Sequence, residues 1–346
     1  MRKFLILISS TGAGHKIAGI SIKDILEDLR DERPLIVDIL KISKFPYSIS
    51  DKIYYFLADY PSLWKSFFYI TNNESYEKFL RFQNFFLRDA IRSIIKEVRP
   101  KIIFSTHPFY VPILYELKCK YRFEIISVIT DFGEIHRAWT VEGYDLLWLP
   151  SEYSKIEIEK KGLIKGNFEV LGYPVRRGFR KISSFSNDYI LVMGGGRGAG
   201  PIFQIFKKLK NLNFKQIYVC GTNIKIKKRL LEIGEKEKLH QIEVIGYTEK
   251  IYELISRAIA IISKPGGSTV AECNYLLKPF VAIDPLPGQE MGNTKFLETT
   301  GSGILLDKLE NINDIVEDIV NGKIKFEFKE RIRDYEEKQK KFIKSL

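Results

Sequence analysis

The sequence is poor in cysteine and has no long apolar run. Three cysteines in 346 residues, Cys119, Cys220 and Cys273, with no Cys-x-x-Cys spacing, exclude a disulfide framework and a cysteine-based zinc site. That usage fits a reducing, cytoplasmic compartment. No segment reaches the ~20 apolar residues that span a bilayer. The apolar run at residues 4–8, behind Arg2 and Lys3, is too short for a secretory signal and leads into Ser-Ser-Thr-Gly instead of a cleavage site. There is also no short-period repeat and no low-complexity tract. What is present is ordinary globular composition: 45% apolar, 28% charged, mean hydropathy −0.12. At roughly 150 residues per domain the length implies two domains.

Charge and aromatics are the compositional biases. Fifty-five Lys and Arg against 43 Asp and Glu give +12, which favours an anionic partner: nucleic acid, an acidic membrane surface or a phosphorylated small molecule. No nucleic-acid-binding motif accompanies the charge, so nucleic acid is not expected. Of 45 Phe, Tyr and Trp, 15 lie between residues 45 and 86.

Short apolar runs at 3–9, 34–40, 101–105, 124–130, 146–150 and 168–171 alternate with helical spacing such as Ala18, Ile22, Ile25, Leu26 and Leu29. Continuous apolar runs of this length suit strands buried on both faces of a parallel sheet, so the class is α/β. A second series follows Gly172-Tyr173-Pro174, at 189–193, 216–220, 242–245, 259–263, 279–283 and 303–306. The expected division is residues 1–172, residues 173–321 and a basic C-terminal helix at 322–346. Arg176, Arg177, Arg180 and Lys181 read as an exposed linker, and the terminal helix as a solvated one.

Glycine-rich turns after strands are where α/β proteins bind phosphates, because N–H groups approach the anion and the next helix presents its positive end. The first such turn runs from Ser9 to His15. Ile17 replaces the third glycine of a dinucleotide fingerprint, and His15 is either a general base or a structural hydrogen-bonding residue. The second, residues 194–200, has five glycines in seven residues, with Pro201 placed to open a helix, and lacks the Gly-Lys-Ser/Thr of an NTPase loop. The third, 263–269, offers Ser268 or Thr269 to a phosphate, with Glu272 one turn on as either a ribose ligand or a surface glutamate. A fourth loop, 285–293, gathers amide and carboxylate groups suited to sugar hydroxyls.

In order along the chain stand Thr11-Gly12-Ala13-Gly14-His15, His107-Pro108, Thr130-Asp131-Phe132 with His136 and Trp139, Met193-Gly194-Gly195-Gly196, Cys220-Gly221-Thr222-Asn223, Gly246-Tyr247-Thr248, Lys264 to Thr269, and Pro287-Gly288-Gln289-Glu290-x-x-Asn293. Over residues 4–300 this set resembles the diacylglycerol glycosyltransferases, the monogalactosyldiacylglycerol synthases and processive glucosyltransferases, with the lipid II-forming transferase more distant. The resemblance implies a GT-B fold, two tandem Rossmann-like doubly wound domains facing a cleft, and inverting transfer of glucose or galactose from a UDP-sugar to diacylglycerol without metal or other cofactor. No Asp-x-Asp occurs in the sequence. Carried onto these positions, His15 is the base and Asp131 orients the base or acceptor. Gly12, Gly14, Gly195, Gly196, Gly267, Ser268 and Thr269 lie at the diphosphate, and Glu272 at the ribose. Asn223, Tyr247 and Thr248 lie toward the uracil, and Gln289, Glu290 and Asn293 at the hexose. His107, His136, Trp139, Trp64, Phe67 and Phe68 fall to the acceptor and membrane side. Ala13, Arg137 and Thr222 depart from residues common in the family.

The aromatic cluster is then either the core of a helical insertion or an amphipathic patch on the inner face of the cell membrane. Transfer to a polyprenyl-linked acceptor is the neighbouring enzymatic reading, and a non-catalytic nucleotide-sugar sensor the non-enzymatic one.

Overall fold

The computed structural model describes residues 3–10, 12–43, 50–73, 76–163 and 166–346. Thr11 and part of the aromatic cluster lie outside the described residues. The chain falls into two compact units: Met1–Arg177 with Leu286–Gly292 and Ile332–Leu346, and Gly178–Pro285 with Asn293–Arg331.

The first unit holds a parallel sheet of β1 (Phe4–Ile8), β2 (Leu35–Asp38), β3 (Ile102–Ser105), β4 (Glu124–Val128), β5 (Leu146–Leu149) and β6 (Phe168–Val170), in the order β2-β1-β3-β4-β5-β6. Its strands are apolar because both faces are covered. Leu5, Leu7, Ile103 and Ile125 join one core cluster, whereas Phe4, Ile6, Phe104, Ile126 and Val128 join the other. Helix Ala13–Arg30 lays Ala18, Ile22, Ile25 and Leu26 onto the second face.

The second unit repeats the plan with β7 (Tyr189–Met193), β8 (Gln216–Val219), β9 (Ile242–Ile245), β10 (Ala258–Ser263), β11 (Phe280–Ala282) and β12 (Gly303–Leu305), ordered β12-β11-β10-β7-β8-β9 and parallel throughout. Each expected run becomes a strand, with its ends displaced by no more than two residues.

Three expectations change. The units are not consecutive blocks of sequence: residues 286–292 and 332–346 belong with the first. The terminal helix Glu336–Ser345 is not simply solvated. Ile343 is fully buried in the first unit's core, the Phe342 ring meets Trp148 edge-on at 5.7 Å, and Arg30 Nη1 donates to the carbonyls of Ile343 and Lys344 at 3.1 and 3.0 Å. Nor is Arg177 a free linker residue: its backbone N–H donates to Asp24 Oδ2 at 3.0 Å, and its guanidinium lies 2.9 Å from Asp28 and 3.2 Å from Glu27. Helix Ala13–Arg30 supplies all three acids, so the chain leaves the first unit at an anchored point.

Candidate functional site

In each sheet the strand order reverses once. β1 and β3 are neighbours in the first, β7 and β10 in the second, and the chain runs outward from each pair in opposite directions. Beyond the carboxyl ends of such a pair the following loops diverge and leave a crevice where α/β proteins bind ligands. Both crevices are lined by the glycine loops singled out above.

In the first unit, Gly12 precedes helix Ala13–Arg30 at φ 81° with no side-chain cap, leaving first-turn N–H groups without a side-chain acceptor. His15 stands in that first turn. Thr130 Oγ1, just past β4, lies 3.1 Å from His15 Nδ1, and Thr106 Oγ1, just past β3, donates to the His15 carbonyl at 2.8 Å. The ring is enclosed by His107, edge-on at 4.7 Å between centroids, and by Trp139 at 5.9 Å. Burial pushes the His15 imidazole down to about 4, partly opposed by a hydrogen bond to the Thr106 backbone. A neutral imidazole at the carboxyl edge of a sheet can accept a proton at neutral pH.

His107 and His136 each cap a short turn. His107 is buried, its Nδ1 accepts from Phe109 N–H at 3.3 Å to cap a short 3-10 turn, and burial together with His15 holds it well below its usual range. His136 does the same with Ala138 N–H at 3.1 Å, while Thr71 Oγ1 meets its Nε2 at 3.1 Å; burial lowers it to about 4. Asp131 is buried, with Oδ1 accepting from Gln289 Nε2 at 2.8 Å. Thr130 was not among the expected site residues. Its signal was position alone, the first hydroxyl beyond a parallel strand.

Three of the four Trp and Phe residues assigned to the acceptor and membrane side point inward. Trp64 and Phe68 are buried and Trp139 lies in the core, so of the set only Phe67 faces solvent. The spacing explains it: Trp64, Phe68 and Thr71 share one face of helix Pro61–Thr71.

In the second unit, Gly195 and Gly196 border open space, whereas Gly198 does not: a Cβ there would stand 1.9 Å from the Cys220 carbonyl oxygen at φ 64°. The loop therefore contains glycines of two kinds, those the fold requires and those that leave room for something else. Pro201 sits one residue ahead of helix Ile202–Leu209, at its N-cap instead of opening the helix, and no side chain caps that end. The third loop reaches the second, since a Cβ on Gly200 would lie 3.5 Å from Lys264 Cγ. Helix Gly267–Tyr275 likewise starts without a side-chain cap. Ser268 and Glu272 are buried along it, which sets aside the surface reading of Glu272. Asn293 Nδ2 donates to the Pro265 carbonyl at 2.9 Å, holding the third loop. Asn223 is committed to the fold: Oδ1 accepts from Ile226 N–H at 3.1 Å and Nδ2 donates to the Gly198 carbonyl at 3.2 Å. Tyr247 projects into solvent after β9, and Thr248 Oγ1 accepts from Lys250 N–H. Glu290 Oε2 accepts from Leu286 N–H at 2.8 Å, closing the 286–290 turn in the first unit.

Residues 15–175 match the family model of monogalactosyldiacylglycerol (MGDG) synthase, and residues 189–346 match that of the glycosyltransferase family 28 C-terminal domain. The chain is a glycosyltransferase. Chloroplastic monogalactosyldiacylglycerol synthase 2 of Arabidopsis thaliana is 27% identical over 337 residues, covering 88% of this chain and 70% of that protein. The processive diacylglycerol beta-glucosyltransferase of Bacillus pumilus is 27% identical over 352 residues, covering 94% of this chain and 88% of that one. Several other plant synthases of this kind are spanned over 64% or 65% of their lengths. Among solved structures, Acinetobacter baumannii MurG is similar over 100% of both chains with a TM-score of 0.58 at 13% identity, a likeness of fold. This glycosyltransferase has a GT-B fold of two Rossmann-like units. Among its described residues no helix is long and apolar enough to cross a membrane, and no group of three or more His, Cys, Asp or Glu is placed to hold a metal ion.

Proposed function

We propose that the protein transfers glucose or galactose from a UDP-sugar to the free hydroxyl of diacylglycerol, with inversion, while peripherally attached to the cytoplasmic face of a membrane. The observation that carries this reading is His15. It is a neutral imidazole at the switch point of the first sheet, in a chain whose second sheet places two uncapped, glycine-opened helices at its own switch point.

The chemistry balances with the residues present. His15 takes the proton of the acceptor hydroxyl as its oxygen attacks the anomeric carbon. The bond from that carbon to the diphosphate oxygen breaks, and UDP leaves with the electron pair. The growing charge falls to backbone N–H groups at Gly195, Gly196, Gly267, Ser268 and Thr269 and to the positive helix ends. Glu272 accepts from the ribose hydroxyls, Tyr247 and Thr248 stand on the uracil side, and Gln289, Glu290 and Asn293 read the hexose. Asp131 acts through Gln289, which it orients. The relatives named for diacylglycerol and its galactosyl product supply the acceptor class. The membrane follows from that acceptor, and from Phe56, Leu63, Phe67 and Ile70, exposed on consecutive helices, with exposed Tyr60 between them.

Purified protein incubated with diacylglycerol vesicles and UDP-glucose, UDP-galactose or UDP-N-acetylglucosamine separately, followed by mass spectrometry of the lipids, tests the reading. A hexosyl diacylglycerol from one donor is the expected result. No lipid product from any donor, with UDP still bound, would refute diacylglycerol as acceptor and direct the search to polyprenyl-linked lipids.

A further inference from the structure

The helix that follows β8, Ile224–Lys236, opens with Lys225, Lys227, Lys228 and Arg229 and has no acid in its first turn. Cations at the positive end of a helix are disfavoured by its dipole, so this sequence works against local electrostatics. Lys225, Lys228 and Arg229 are exposed, and Arg229 lies over the Phe203 ring at 3.6 Å. Lys227 is the exception. It is half-buried, and a Cβ on Gly246 would lie 3.7 Å from its Nζ. The same Cβ would stand 3.6 Å from the Gly221 carbonyl oxygen, so the ammonium sits where the loops after β8 and β9 meet. All of these residues belong to the second unit.

Among the described residues nothing neutralises this charge: the Lys227 ammonium makes no ion pair and no hydrogen bond. The Cys220 thiol is close enough to feel it but is no counter-ion, because burial pushes the thiol up to about 11 and Lys227 opposes that only in part. Partial desolvation of an ammonium without an acceptor costs stability, and such local conflicts persist where a ligand supplies what the fold lacks.

The sheet order says which acceptor is missing. In β12-β11-β10-β7-β8-β9, open Gly195 and Gly196 follow β7 and Glu272 lies on the helix after β10, whereas Gly246 follows the edge strand β9. Three strand spacings, ~14 Å, separate β10 from β9. The loop at 220–223 stands between Lys227 and the open glycines, since a Cβ on Gly221 would meet the Gly196 carbonyl oxygen at 2.4 Å. A UDP held by its diphosphate and ribose at β7 and β10 therefore reaches β9 with its base. The uracil O4 carbonyl lies directly opposite the glycosidic nitrogen, pointing away from the ribose, and cytosine carries its N4 amino group at that place.

We propose that Lys227 is a specificity-determining residue of the donor site, its ammonium donating to uracil O4 and rejecting the N4 amino group of cytosine. The proposal rests on the UDP-sugar reading above and deepens it at the base.

The test is calorimetric titration of the full chain with UDP and with CDP. The parent protein should bind UDP about tenfold or more tightly than CDP. Lys227→Met keeps the aliphatic stem and removes the charge; it should bind UDP about tenfold more weakly and leave CDP binding unchanged or tighter. Lys228→Met removes an equal charge from the exposed side of the same helix and should alter neither affinity. Equal losses for UDP and CDP in Lys227→Met would move the ammonium to the diphosphate and overturn the proposal. Undiminished UDP affinity in that variant, the same loss in Lys228→Met, or a parent that does not discriminate the two nucleotides would overturn it as well. Each of these leaves the UDP-sugar reading standing, whereas a parent that binds neither nucleotide takes that reading down too.

Discussion

At the scale of single residues, the sharpest expectation concerns His15. Replacing it with Ala should lower transfer by about 10² to 10⁴ while UDP binding, which the proposed function assigns to the second unit's loops, is unchanged; calorimetric UDP titration beside a turnover assay separates the two. With its pKa lowered to about 4, His15 is neutral from there upward. The acid limb of the rate should therefore fall near pH 4, not near the 6.5 of a free imidazole. Thr130→Val keeps shape but removes the hydroxyl at Nδ1 and should reduce turnover about fivefold, the worth of one hydrogen bond of roughly 1 kcal/mol. Stability follows the same histidines. In the unfolded chain each imidazole takes up its proton as the pH falls through 6.5, whereas in the fold His15 and His136 wait until about 4 and burial holds His107 well below its ordinary range. Over that window the unfolded state binds the extra protons, so stability declines on acidification, by ~1.4 kcal/mol per pH unit for each fully shifted histidine. Melting temperatures from pH 7 to pH 4.5 should fall; a flat profile would contradict the buried neutral rings. Position along the chain made His15 legible in the sequence, because a histidine after a strand and glycines has few structural duties there. Thr130 was not legible, since its pairing with His15 joins residues 115 apart.

Among the elements, the glycine loops carry two functions that one residue type conceals. Gly196→Ala meets nothing within 4 Å and should melt like the parent protein while weakening UDP binding, because its Cβ enters the open space that the proposed function gives to the diphosphate. Gly198→Ala drives a Cβ into the Cys220 carbonyl at positive φ and should destabilise the second unit by ~1–3 kcal/mol or more, visible in thermal melts without ligand. Strands were readable because a parallel sheet covered on both faces needs unbroken apolar runs, and β1 and β7 are apolar and buried at every position. Helix Pro61–Thr71 was readable only in part. Its aromatic density is visible in the sequence, but two apolar stripes a third of a turn apart overlap in any periodicity, and only the packing of Trp64 on Pro287 tells inner from outer.

For the whole molecule, the feature invisible to a linear reading is that the first unit is assembled from three stretches of chain. Ile343, fully buried against Phe4, Ile22 and Trp148, is as much a part of that core as the first strand. Ile343→Ala should cost about 2–5 kcal/mol, and calorimetry should place the loss in the unit that contains His15. Lys3 and Arg30 reach the carbonyls of Leu346, Ile343 and Lys344, so the earliest strand and helix hold the latest one. On the ribosome, the Trp148 face of the first sheet therefore has helix Ala13–Arg30 but lacks Phe342 and Ile343 until residues 332–346 emerge, while the second unit can close before them. The half of the enzyme made first is the half completed last, and until residues 332–346 arrive part of its apolar face stays uncovered.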